Sequence, residues 1–225
     1  MASERKINHI VYAYNLDRRV VRTWDFLRRQ PEKDYIRLTL HPRIAENEGV
    51  TVNGHPTVQW ILDSGTRDLA DEELVMLTNS DSFLTADTLD RIWEARGLCY
   101  SCRVNMGRVG SELYYSKQLE AMGKYPGVDL VCFTVGWWRK IRAKLPRLYF
   151  GCEAWDWIFK WEILWSDGVE IGPVVYHQNH GPSKWFQNRL REPNLTNRRA
   201  AISWGQERGW ERVVKVWPEI VQYLE

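Results

Sequence analysis

Three short stretches of the chain carry side chains able to do chemistry. The first is Asn79-Ser80-Asp81, which follows the apolar run Leu74-Val75-Met76-Leu77. An amide and a carboxylate on alternate positions of a tight turn can hold a divalent cation against an anionic ligand. The second is Gly151-Cys152-Glu153-Ala154-Trp155-Asp156, which opens a strongly apolar segment. There the indoles of Trp155 and Trp157 offer Asp156 an apolar wall that can raise its pKa. The third is His177-Gln178-Asn179-His180, two imidazoles three residues apart and suited to metal ligation. Each stretch also has a plainer reading: a polar turn before a capped helix, a helix cap at Asp156, and a strand end with surface histidines.

Strands must deliver these stretches to one edge of a sheet if they are to meet. His9–Tyr14 reads as a first strand, and Asn15-Leu16-Asp17 as a turn. Val20, Val21, Trp24 and Phe26 or Leu27 then recur at near-helical spacing, as far as Gln30-Pro31. Tyr35–Leu40 reads as the second strand, so the opening strand–helix–strand unit predicts a parallel pair with a right-handed crossover. Val58–Leu62 reads as a third strand, ending at Asp63-Ser64-Gly65. Leu74–Leu77 is the fourth, and the helix through Asp87–Trp93 that follows it ends at Gly97. Further strands are expected over Leu98–Val104, Val128–Thr134 and Val174–His180. Helices are expected over Ser111–Gly123, from Trp155 onward, over Leu195–Arg208 and over Glu211–Leu224. This is an α/β pattern, and in open α/β sheets ligands gather outside the C-terminal ends of the strands. Asn79 and Asp81 fall there.

The 225 residues are 44% hydrophobic and 27% charged, which predicts one domain with a substantial core. No apolar run approaches the roughly 20 residues of a membrane span, and the first ten residues carry no apolar signal region. A soluble, cytoplasmic protein with no membrane partner is the expectation. Cys99, Cys102, Cys132 and Cys152 are then expected as reduced thiols. Cys99 and Cys102 lie three apart on a strand, so their thiols should point to opposite faces. The net charge of +2 is unevenly spread: nine acids and two bases between Asp63 and Glu94, five bases and no acid between Arg139 and Arg147. A second basic cluster holds Lys184, Arg189, Arg191, Arg198 and Arg199. The acidic centre suits a metal and the basic segments suit phosphates. Of the thirteen tryptophans, six fall between Trp137 and Trp165; most are expected in or beside the core.

In their order and separation the three polar stations resemble the nucleotide-sugar glycosyltransferases of the GT-A fold. That family sets a DxD-type motif after a central strand, an acidic residue at a later helix start and often a histidine near the C-terminus. The resemblance spans roughly Ile7 to Trp185, and its first motif position here is Asn79 rather than Asp. It implies one Rossmann-type domain over residues 1–225, with a mostly parallel mixed sheet, helices on both faces and a helical tail from about 186. It implies a sugar transfer from a nucleotide diphosphate sugar to a hydroxyl acceptor, with Mn²⁺ or Mg²⁺ bridging the diphosphate. Asp81 then looks like the metal ligand, Asn79 and Ser80 its companions, and His177 or His180 the late ligand. Tyr12 and Tyr14 resemble positions that flank the nucleotide base, and Asp63 and Arg67 resemble positions that contact nucleotide or sugar. Asp156 and Glu153 compete to take the proton from the acceptor hydroxyl, a role that an inverting enzyme needs.

The basic, tryptophan-containing segments suit an anionic acceptor such as DNA with a hydroxylated base, which the enzyme would have to flip out of the duplex. Compact transferases of this kind occur in phages and bacteria. A nucleotidyltransferase is a competing reading, against which Asn15-Leu16-Asp17-Arg18-Arg19 lacks the glycines of a phosphate cradle. A non-catalytic nucleic-acid-binding protein is another; it accounts for the arginines and tryptophans but not for the three stations.

Overall fold

The computed structural model describes residues 6–12, 35–40, 51–52, 55–79, 82–84, 86–106, 124–178, 192–209 and 211. The strands are β1 Ile7–Tyr12, β2 Tyr35–Leu40, β3 Thr51–Val52, β4 His55–Pro56, β5 Leu74–Thr78, β6 Ser82–Phe83, β7 Cys99–Met106, β8 Lys124–Thr134, β9 Val169–Glu170 and β10 Val175–Gln178. The helices are α1 Val58–Thr66, α2 Ala86–Glu94, α3 Val135–Ile141, α4 Trp155–Trp165 and α5 Glu192–Arg208.

The main sheet runs β2-β1-β5-β8-β7-β10-β6, with β9 paired to β7, and β3 and β4 form a separate hairpin. β1 is parallel to β2 and β5, and β7 is parallel to β9 and β10. β8 is antiparallel to both of its neighbours, and β6 is antiparallel to β10. Six of the eight strands therefore run one way, an α/β architecture with a mixed, mostly parallel sheet. The parallel β1–β2 pair is as expected; the residues that join its strands lie outside the described ones. So do the expected helices over Ser111–Gly123 and, apart from Glu211, Glu211–Leu224.

Strand alternation builds two cores. Ile10 and Tyr12, Val75 and Leu77, Tyr100 and Cys102, and Val131 and Phe133 face the first, where residues of α1, α3, α4 and α5 cover them. Ile7, Leu74, Met76, Cys99, Leu130, Cys132 and Val175 face the second, under Leu89 and Ile92 of α2. Cys99 and Cys102 thus point to opposite faces, and all four cysteines are free and buried. The first core is markedly aromatic: Trp138 stacks on Phe159 at 6.0 Å, and Trp155 lies 4.8 Å from Phe150. Trp138, Trp155, Trp161 and Trp204 are buried.

One element differs from the sequence expectation. Val58–Leu62 is not a strand but the first half of α1. A five-residue apolar run does not separate strand from buried helix. Thr57 decides it: its side chain accepts from Trp60 N at 3.1 Å and caps the helix. The buried residues Val58, Ile61, Leu62, Gly65 and Thr66 then follow a helical period. Because α1 leads into β5, Asp63 and Arg67 lie towards the N-terminal end of that strand, away from the edge where Asn79 sits.

Gly97 ends the turn after α2 with φ +76° and donates to Ile92 O at 3.0 Å. A Cβ there would collide with the side chain of Leu74, whose Cδ1 would stand at 3.1 Å. Gly97→Ala is expected to cost about 1–3 kcal/mol through strain and overpacking, read as a lower urea midpoint at unchanged slope. An unchanged midpoint would contradict this packing.

Candidate active site at the C-terminal edge of the sheet

The first station sits where β5 ends. Thr78 Oγ1 donates to Asn79 O at 3.0 Å. The same hydroxyl lies 2.8 Å from His9 Nε2, within hydrogen-bond distance. Asn79 O also accepts from Ser82 N at 3.2 Å. A buried relay from β1 to β5 therefore anchors the backbone of Asn79. Ser80 and Asp81 lie outside the described residues.

The third station comes to the first through the sheet. β10 pairs with β6 so that His177 stands across from Ser82, one residue past Asp81, and Tyr176 across from Phe83. Ser82 is buried, and its hydroxyl has no hydrogen-bond partner among the described residues. The strand expected over Val174–His180 is described as far as Gln178; His180, the side chain of His177 and Tyr14 lie outside the described residues. Among the described residues no group of three or more His, Cys, Asp or Glu could hold a metal ion.

The second station is a loop pinned from two sides. Val58 N donates to Leu148 O, Phe150 N to Pro56 O, and His55 Nδ1 to Phe150 O, at 2.8, 2.9 and 2.9 Å. From α5, Asn197 Nδ2 donates to the carbonyls of Tyr149 and Glu153, its Oδ1 accepts from Tyr149 N, and Asn194 Oδ1 accepts from Glu153 N. Glu153 is held by Arg198, Nε to Oε2 at 2.7 Å and Nη2 to Oε1 at 3.3 Å. A carboxylate gripped by a guanidinium on both oxygens is poorly placed to collect a proton.

Asp156 lies in the first turn of α4, whose N-cap, Ala154, has φ 73° and gives no side-chain cap. The carboxylate accepts from Val128 N at 3.1 Å, reaching across from the helix to the strand. Asp156 is therefore not the N-cap of α4: it stands in the first turn, and its carboxylate bonds a strand amide. Val128 sits beyond the β5–β8 pairing, towards the C-terminal edge, because Thr78 already pairs with Leu130. Burial pushes the Asp156 carboxyl up to about 6; the Val128 amide opposes the rise and the charge of Asp129 adds to it. Asp129 is the extra residue of a β-bulge, since Ser101 pairs with Leu130 while Cys102 pairs with Val128. It is buried and meets Arg103 Nη1 at 3.4 Å. The signal for Asp129 was there to read: one acid inside the apolar run Val128–Phe133 needs a partner.

Tyr12 is fully buried and packs edge-on against Phe150, centroids 6.4 Å apart. It fills the core rather than lining a surface for a base. Asp63 is committed elsewhere, accepting from Trp138 Nε1 at 3.0 Å and Arg142 Nη1 at 2.9 Å, and Arg67 is an exposed C-cap of α1. The basic segments are also less free than their sequence suggests. Arg139 pairs with Asp71, Arg142 with Asp63, and Arg199 approaches Glu192 at 3.7 Å.

The Asp156 carboxyl, protonated more readily in the folded chain than in the unfolded one, makes a stability prediction. Between about 4 and 6 the folded state binds the extra proton, so stability falls as pH rises through that window. Asp156→Asn removes this cost and can still accept from Val128 N. It is expected to be more stable than wild type by about 3 kcal/mol at pH 7.5, with the gain shrinking towards pH 4. Urea melts at the two pH values check it; a loss at both would mean that the carboxylate acts mainly as a cap.

The chemistry of this edge has to be argued from its own residues, because the chain matches no known protein-family profile and no curated protein.

Proposed function

We propose that the protein is a metal-dependent glycosyltransferase that moves a sugar from a nucleotide diphosphate sugar to a hydroxyl acceptor. The β6–β10 pairing carries this reading: it sets the backbone of His177 across from Ser82, which follows Asn79-Ser80-Asp81 in the chain. Two stations far apart in sequence meet at the edge where open α/β sheets bind ligands. A divalent ion, Mn²⁺ or Mg²⁺, would be held by Asp81 with His177 or His180; the Ser82 hydroxyl, without a partner among the described residues, adds a polar atom at this edge. Such an ion supplies charge neutralisation to diphosphate oxygens.

Asp156 supports the transfer from the acceptor side. Its carboxyl, near 6, is ionised at neutral pH yet basic enough to take a hydroxyl proton as the sugar carbon is attacked. Arg103 beside Asp129 limits the negative charge near it. Glu153 is the loop's anchor in this reading. The acceptor offers a hydroxyl; a hydroxylated base in DNA is one candidate.

Thermal shift against a panel of nucleotide diphosphates and nucleotide sugars, with and without Mn²⁺, tests the donor site. One nucleotide at a hundred times its dissociation constant should stabilise wild type by about 2.7 kcal/mol, and Asp81→Ala should abolish the metal-dependent part. No shift with any nucleotide would sink the reading. Asp156→Asn should keep the nucleotide shift and lose on the order of 10²–10⁴ in turnover, and the wild-type rate should fall as pH drops through about 6. A variant with full turnover would remove Asp156 from the proton transfer.

A further inference from the structure

The other end of the sheet carries a cavity of about 680 Å³ whose described lining includes Trp137, Lys140, Lys144, Trp165, Asp167 and Arg208. α3 starts where Thr134 pairs with Leu74, at the beginning of β5, and α4 ends just before Val169 pairs with Cys99, at the beginning of β7. The cavity therefore opens near the N-terminal strand ends. Nine residues of α4 separate Trp165 from Asp156, about 14 Å along the axis.

Its charges divide in a telling way. The arginines of the Arg139–Lys144 stretch are satisfied within the fold, Arg139 by Asp71 and Arg142 by Asp63. Arg208 is neutralised by Glu162 at 2.8 Å and lies over the Trp165 ring at 5.3 Å. Lys140 and Lys144 have no ion pair among the described residues, and both line the cavity. Four apart along a helical path, they present two ammonium groups on one side. Asp167 is the lining carboxylate with no cation of its own.

The aromatic walls are unequal too. Trp165 is engaged by Trp161, Trp204 and Arg208, so its ring is already covered. Trp137 has one ring neighbour, Phe133 at 5.1 Å, and its Nε1 finds no acceptor among the described residues. It is held by packing alone and lines the cavity. Two unpaired ammonium groups, one ring and one unpaired carboxylate complement a ligand with a phosphate, a flat ring and a hydroxyl or amino donor. A cavity of this volume is within the range that takes small molecules.

We propose that this cavity is a second binding site, separate from the candidate active site, that takes a nucleotide: phosphate on Lys140 and Lys144, base against Trp137, and a donor group on Asp167. The nucleotide has two possible sources, a free mononucleotide or one residue of a single strand. The site goes beyond the transferase reading and does not rest on it.

The test uses full-length protein without divalent metal. A labelled twelve-residue deoxythymidine strand is titrated by fluorescence anisotropy, with thymidine monophosphate and inorganic phosphate as competitors. Lys140→Glu and Lys144→Glu, each checked for an unchanged melting temperature, should weaken strand binding about tenfold and flatten its salt dependence. Arg96→Glu, the same charge change beside α2 on the other face of the sheet, should not, and Asp81→Ala should bind like wild type. Competition by the mononucleotide at its own low concentration identifies the free nucleotide as the source; strand binding that resists it identifies the strand. Equal weakening by Arg96→Glu, equal competition by inorganic phosphate, or no binding of either nucleic-acid probe would overturn the site. None of these outcomes depends on whether sugar transfer occurs.

Discussion

β8 is the constraint from which the rest of the structure follows. It lies inside the sheet, runs against both neighbours and is buried on both faces from Val128 to Phe133. A strand buried on two sides needs a layer over each, and that need explains why α1, α3, α4 and α5 gather on one face while α2 closes the other. Thr134 then ends the strand and caps α3 through Trp137 N at 3.2 Å, so the chain turns back over the first core without a loop. A charge inside such a strand is costly unless it is paired. Asp129 meets that condition by standing at a bulge, where the ladder is broken and Arg103 of β7 can reach it.

The bulge also conditions Asp156. Val128, next to the bulged Asp129, gives its amide to the Asp156 carboxyl across 3.1 Å. Asp156 therefore belongs to both a helix start and a strand irregularity. The helix dipole and the Val128 amide favour the charged form, yet burial and the neighbouring Asp129 outweigh them and leave the carboxyl near 6. A group designed only to cap would gain from remaining fully charged. One held near 6 bears a stability cost at neutral pH that capping does not explain.

The strands were legible because burial on two faces writes itself as continuous apolar runs, and Tyr35–Leu40 is bounded in the structure as its run is in the sequence. α1 was not, since Val58–Leu62 has the composition of a buried strand and only Thr57 and the later spacing of Gly65 and Thr66 betray a helix. That error moved Asp63 and Arg67 to the wrong end of the sheet. The stations were legible as local polar clusters, but their partners were not. Arg198 lies 45 residues from Glu153, and nothing near either residue reports the pair. Arg198 reads as part of a phosphate-binding cluster until the fold turns it onto a carboxylate. Charge runs are ambiguous in this way because pairing is a long-range property, and the helix period of Arg139–Lys144 becomes informative only once Asp63 and Asp71 are seen to take the arginines.

The two ends of the sheet differ in what they leave unsatisfied. At the C-terminal edge, among the described residues, these groups include the buried hydroxyl of Ser82, without a hydrogen-bond partner, together with the raised carboxyl of Asp156. At the N-terminal edge, among the described residues, they include two ammonium groups, an indole and the carboxylate of Asp167. α4 joins them, with Asp156 in its first turn and Trp165 in its last. Its aromatic side chains are packed into Phe133, Trp138, Phe150 and Trp204 along its length. A helix so tightly packed behaves as a rigid strut. It fixes the separation of the two edges, so whatever binds at one end meets a site of set distance and direction from the other.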